Sequence, residues 1–89
     1  MDVKIPLLYT TFNRLEYTKR TLPRLIEATP EAEIYIVDNG STDGTQEYLY
    51  SLDLQLDTAY RQRRRITYNA ENIGIANVMN WFFESIANT

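Results

Sequence analysis

Residues 34–44 read Ile-Tyr-Ile-Val-Asp-Asn-Gly-Ser-Thr-Asp-Gly. The first four are β-branched or aromatic, the side chains that fit a pleated and buried strand. They run directly into Asp38, Asn39, Gly40, Ser41, Thr42, Asp43 and Gly44, residue types that favour turns and left-handed backbone. Ser41 or Thr42 can cap a following helix, and Asp43 suits the positive end of its dipole. The spacing predicts that helix over residues 45–54, burying Tyr48, Leu49 and Leu52. Strand, turn and helix in this order form half of a parallel α/β unit.

The same unit repeats on either side. Upstream, residues 3–9 (VKIPLLY) form a short apolar run that ends in Thr10, Thr11, Phe12 and Asn13. Leu15, Thr18, Leu22, Leu25 and Ile26 then share one helical stripe. Pro23 lies inside it, and either opens a second helical piece after Thr21 or kinks a single helix. Downstream, residues 65–68 (RITY) predict a third strand and 69–74 a loop. Residues 75–86 predict a helix with Ala76, Met79, Phe83 and Ile86 on one face. Only residues 53–64, without a clear period, read as an exposed connector. The order β-α-β-α-β-α, with near-continuous apolar strands, predicts an α/β fold: a Rossmann-like parallel sheet covered by helices in three α/β/α layers.

A chain of 89 residues makes one small domain, because a second would need its own core. It holds no His and no Cys, which excludes a disulfide framework, a thiolate nucleophile, a catalytic imidazole and the usual zinc sites. A formal charge of −3 argues against a nucleic-acid partner, whose binder would be strongly basic. No apolar run approaches the roughly 20 residues needed to cross a bilayer, so a soluble, cytoplasmic chain without a transmembrane segment is expected. The first glycine is Gly40, after the second strand. That placement excludes both the G-x-G-x-x-G fingerprint and the P-loop, which need glycines after the first strand.

Three polar segments stand at the carboxyl ends of the three strands: residues 10–14, 38–44 and 69–74. Ligands of open parallel sheets bind in the crevice outside these ends. Asn, Asp and Thr suit a base or a sugar hydroxyl, and they also serve turn geometry and helix caps.

The fragments TTFNRLEYTKRTLPRL, IYIVDNGSTDGTQEYL and NAENIGIANVMN, in this order and spacing, resemble the N-terminal half of family 2 inverting glycosyltransferases, which have the GT-A fold. The run from Val37 to Thr45 is its most specific piece. The resemblance covers nearly the whole chain and implies a sheet of strand order 3-2-1 that grips the nucleotide of a sugar donor, most simply a UDP-sugar. By matching position, Thr11 and Phe12 would line the uracil and ribose, and Asn13 and Arg14 complete that motif. Asp38, followed by Asn39, would accept the imide N–H of the base. Asn72, Gly74 and Asn80 match the pattern that closes the nucleotide pocket.

Two departures stand out. Thr10 replaces the usual Pro, and Met79 replaces an Arg that many members carry, removing a cation near the pyrophosphate. The family's D-x-D motif, which ties Mg²⁺ or Mn²⁺ to the donor diphosphate, would begin on a strand where this sequence stops, at Thr89. The expectation is therefore a nucleotide-binding subdomain, inactive by itself, of a longer glycosyltransferase that transfers a sugar to an acceptor hydroxyl. On this reading no residue here is catalytic or metal-binding, and Mg or Mn belongs to the longer parent. The alternative is a non-catalytic α/β module for protein interaction or weak ligand binding.

The remaining features read as structural. Asp43 fits a capping role better than a catalytic base. Asp53 and Asp57 belong on or beside a solvated helix face, and Arg61, Arg63, Arg64 and Arg65 read as a solvated connector. One or two of Trp81, Phe82 and Phe83 belong to the core. The first strand, with only Lys4 to protect it, is expected to be an edge that supports self-association.

Overall fold

The computed structural model describes residues 5–87. Three strands, β1 (Ile5–Thr11), β2 (Ala32–Asp38) and β3 (Arg64–Tyr68), form one parallel sheet in the order β1-β2-β3. The helices are α1 (Leu15–Ala28), α2 (Thr45–Gln55), α3 (Thr58–Gln62) and α4 (Ile75–Ala87). Val3 and Lys4, assigned to the first strand from sequence, lie outside the described residues.

The central strand explains the layering. Ala32, Ile34 and Ile36 point to one face, where Leu22 and Ile26 of α1, Leu49 and Leu52 of α2, and Tyr60 of α3 close over them. Tyr35 points to the other face, where Trp81 and Phe82 of α4 meet its ring edge-on at 5.8 and 5.3 Å between centroids. With both faces covered, nearly every residue of β2 is buried, as its unbroken apolar run requires.

Helix α1 passes through Pro23 as one continuous helix. An interior proline costs about 3 kcal/mol or more. Leu22 and Ile26, on either side of it, are buried, and each recovers about 1.5–3 kcal/mol. Packing therefore outweighs the break.

Three expectations are corrected. First, residues 53–64 are not an exposed connector: α2 continues to Gln55, and Asp57 caps the short α3 by accepting the Tyr60 N–H. Second, the arginine cluster is only partly solvated: Arg61 and Arg65 are exposed, whereas Arg63 and Arg64 are half-buried. Arg63 donates to the carbonyls of Ile26, Thr29 and Ala32, Arg64 pairs with Asp53 at 2.9 Å, and Arg65 pairs with Glu33 at 2.6 Å. Third, of the face expected for α4, Met79 and Ile86 are half-buried but Ala76 is exposed and Phe83 is 56% exposed, while Val78 is buried and the half-buried Trp81 and Phe82 pack on Tyr35. The sequence of α4 is apolar nearly all round, so its period did not select the face. No helix among the described residues is long and apolar enough to cross a membrane.

Candidate functional site

The loops at the carboxyl ends of the strands are tied together by their own side chains. Asn13, after β1, has φ 49, a left-handed conformation that Asn tolerates. Its N–H donates to Ser41 Oγ at 2.8 Å, and its Oδ1 accepts the Thr42 N–H at 2.7 Å. The backbone N–H and the side-chain oxygen of Asn13 are thus both spent on the loop after β2.

Asp43 joins the same two loops. Its Oδ2 accepts the N–H of Leu15, the first residue of α1, at 3.0 Å. Its Oδ1 accepts the N–H and hydroxyl of Thr45, the first residue of α2. The formal N-cap residues, Arg14 and Gly44, supply no side-chain bond. Gly44, at φ 98, stands where Ser41 or Thr42 was expected to cap α2; Asp43 supplies the acceptor instead. The capping role read for Asp43 is what the geometry shows.

These bonds to Asp43, the Thr45 hydroxyl first, hold its carboxyl below the ordinary carboxylate value. A depressed folded value means that the stability Asp43 lends is complete above the ordinary carboxylate range, and drains away as pH falls through the folded value. Asp43→Asn is expected to lose about 1–2 kcal/mol near neutrality. Its deficit against wild type should shrink as pH falls below about 4. Thermal melts of both proteins from pH 7 to pH 2.5 check this, and a deficit constant across the series would overturn it.

A second network joins the loops after β2 and β3. Asn39 Oδ1 accepts the Ile73 N–H at 3.0 Å and an Asn69 side-chain N–H at 3.1 Å. Its Nδ2 donates to Asn72 Oδ1 at 2.8 Å, which also accepts the Gly74 N–H at 2.8 Å. Gly40 lies directly against this loop: a Cβ there would come within 2.6 Å of the Glu71 backbone.

Between β1, α1 and the start of α4 the loops leave a cleft of about 310 Å³. Phe12, Tyr17, Ile75 and Val78 give it an apolar lining, while Thr10, Thr11, Arg14, Asn39 and Asn72 supply polar groups. Five of the residues expected from sequence thus converge: Thr11, Phe12, Arg14, Asn39 and Asn72. Thr11 offers little beyond its backbone, because its hydroxyl is buried against Thr18 Oγ1 at 2.9 Å. Asn13, Asp38, Gly74 and Asn80 are not on the lining.

Asp38 is fully buried. Its Oδ2 accepts the Ser41 N–H at 3.0 Å and the Gln46 side-chain N–H at 2.7 Å, whereas Oδ1 has no partner among the described residues. Tyr68, its partner across the sheet, has its phenol pushed up to about 12, chiefly by burial, and stays neutral beside it. Tyr17 and Ile75 were missed from sequence. The available signal for Tyr17 was a large aromatic off the buried stripe of α1, beside a polar loop.

A comparison with family models matches residues 7–87 to the family described as glycosyl transferase family 2. The chain belongs to glycosyl transferase family 2. No curated protein and no solved structure matches it. Family 2 membership agrees with the parallel α/β sheet and implies a nucleotide-sugar donor. Among the described residues no three carboxylates converge, and both oxygens of Asp43 are committed to helix caps.

Proposed function

We propose that the cleft binds the nucleotide of a UDP-sugar donor, as the nucleotide-binding portion of a glycosyltransferase that transfers the sugar to an acceptor hydroxyl. The observation that carries this reading is the cleft itself. Aromatic rings and hydrogen-bond donors converge at the carboxyl ends of parallel strands, where such sheets take ligands. Phe12 and Tyr17 offer faces for a base, and Asn72 and Arg14 offer donors. Among the described residues no carboxylate lines the cleft to deprotonate an acceptor, and the expected result is binding without sugar transfer by the 89-residue chain.

Asp38 supports a uracil. Its orphaned Oδ1 is an acceptor without a donor, and the imide N–H of uracil is a donor that would satisfy it. Because Asp38 lies off the lining, this contact requires the 39–44 loop to shift when the base enters.

Titrating UDP while following amide NMR shifts tests the reading. Shifts are expected in residues 10–17, 38–44 and 69–78, with affinity in roughly the millimolar range. Shifts confined to the opposite end of the sheet, around Ala32 and Arg63, would overturn it.

Asp38→Asn tests the base. Ser41 and Gln46 both donate to Oδ2, so an asparagine there must keep its oxygen towards them and place its amide nitrogen at the Oδ1 position. The acceptor becomes a donor, which opposes uracil N3–H and matches the acceptor N3 of cytosine. Binding of UDP is expected to weaken about tenfold, one mismatched hydrogen bond, while binding of CDP improves. Equal changes for both nucleotides would remove Asp38 from base recognition.

A further inference from the structure

We infer that the open edge of β1 and the neighbouring apolar stripe of α4 form one docking surface, and that its occupant is a second copy of this chain related by a two-fold axis. The inference is independent of the nucleotide reading of the cleft.

Among the described residues the sheet has two open edges, β1 and β3, and they differ in kind. The Asn39 N–H donates to Thr11 O, and the backbone groups of a strand turn to alternate sides along its length. Ile5, Leu7, Tyr9 and Thr11 therefore pair with β2, while Pro6, Leu8 and Thr10 turn their backbone groups outward. Pro6 removes one outward donor and leaves those of Leu8 and Thr10. No residue from Ile5 to Thr11 is charged. On β3 the Ile34 N–H reaches Arg63 O, so Arg64, Ile66 and Tyr68 turn outward. That strand carries Arg64 and Arg65, paired with Asp53 and Glu33, and charge along an edge is what keeps it from pairing. The β1 edge lacks that guard.

Beside it, α4 presents a second apolar stripe. Trp81 and Phe82 pack on Tyr35, whereas Ile75, Met79, Phe83 and Ile86 recur at helical spacing around from that buried line. Ile75 lines the cleft with Thr10 and Phe12, so this stripe lies on the β1 side of α4. Ile75 is 63% exposed and Phe83 56%. Leu8, half-buried, pairs in register with Tyr35 and so shares the α4 face of the sheet. Met79, Phe83 and Ile86 belong to the face that the sequence pattern assigned to the core, and the monomer turns that face outward.

A second copy fits both parts. A two-fold axis through Leu8, normal to the sheet, runs the two β1 strands antiparallel in a closed, isologous pair. Each Leu8 N–H then donates to the other copy's Leu8 O, and each Thr10 N–H to the other copy's Pro6 O. Pro6, which cannot donate, serves only as an acceptor. The same rotation keeps both α4 helices on one face, so their stripes look towards each other above the paired Leu8 side chains. Charge favours a like partner at this face. The chain carries −3, yet the only charged residue of α4, Glu84, lies on the opposite side of the helix from Ile75, and the edge strand has none. Two acidic copies therefore meet here without opposing carboxylates. One strand edge and one helix stripe fall short of the standard of about 800 Å² per partner, so a dissociation constant of roughly 10–100 µM is expected.

Sedimentation equilibrium of the 89-residue chain from about 5 µM to about 1 mM tests this, with amide exchange followed by NMR over the same range. The expected result is a monomer–dimer equilibrium in which the Leu8 and Thr10 amides exchange more slowly as concentration rises, while those of Ile66 and Tyr68 do not change. Phe83→Glu sets a carboxylate against the other copy's apolar stripe. Thr10→Pro removes an outward donor at an edge position, where proline is tolerated. Both positions are exposed, and each variant is expected to weaken the dimer about tenfold. Leu54→Glu, at an 82% exposed leucine of α2, is expected to leave it within about twofold. A chain that stays monomeric throughout would overturn the proposal and leave the edge to a different polypeptide. A dimer indifferent to Phe83→Glu and Thr10→Pro, or weakened as much by Leu54→Glu, would overturn it too. Protection appearing at Ile66 and Tyr68 instead would move the contact to β3 and equally refute it.

Discussion

Gly40→Ala is expected to destabilise the protein by about 2–5 kcal/mol, from a left-handed backbone cost of about 1–2 and a steric cost of about 1–3. Gly40 has φ +89, and a Cβ there would meet Glu71 C and Cα at 2.6 and 2.7 Å and Asn72 N at 2.9 Å. All three are backbone atoms, so no side chain can swing aside. The loop after β3 has to lift, and the Asn39–Asn72 bond lifts with it. A natural domain is stable by only about 5–15 kcal/mol, so the variant loses a large share of its margin along with the shape of the cleft. Gly74→Ala is the internal control. Gly74 has φ +81 but nothing within 4 Å of an added Cβ, so it carries the backbone cost alone. Urea unfolding of both variants separates the terms. Equal losses would mean that the close approach of the two loops contributes nothing.

The second large effect lies at the other end of the sheet. Arg63→Ala is expected to cost about 3 kcal/mol, since bonds from a charged donor are worth about 1.5–3 each and do not add fully. The Arg63 guanidinium donates to Thr29 O at 2.8 Å, Ala32 O at 3.1 Å and Ile26 O at 2.7 Å. These carbonyls end α1 and begin β2, and a helix end leaves such groups without partners of its own. One side chain from the residue before β3 therefore closes the turn between the first two elements. Arg63→Lys is expected to recover less than half of the loss, because an ammonium lacks the planar fork that reaches all three oxygens. An alanine variant within 1 kcal/mol of wild type in denaturant unfolding would show that water replaces the guanidinium at little cost.

What the sequence disclosed, and what it hid, follows the range of the interactions. Ile34 to Val37 could be read as a buried strand because their local preference agrees with their burial on both faces. Asp43 could be read as a cap because capping acts within a few residues, although its reach to Leu15 could not. Arg63 looked like one of four solvated arginines, since its three acceptors lie more than thirty residues upstream in the chain. The α4 stripe was misplaced because Phe82 and Phe83 are identical in type and only packing against Tyr35 separates them. At the site, Thr11, Phe12, Arg14, Asn39 and Asn72 were legible from their loops. Tyr17 was not, because its helix sends it to the cleft from outside the motif. Asp38 was legible as important, but its burial beneath bonds from Ser41 and Gln46 is a tertiary fact.

The double duty of Asp43 has a dynamic side. Leu15 and Thr45, thirty residues apart in sequence, both donate their N–H to one carboxylate. Neither amide can be released to solvent by rotation of that side chain without the other being released too. The first turns of α1 and α2 therefore fray as one cooperative unit, and two remote segments share a single opening event. Any ligand that quiets one of them quiets both.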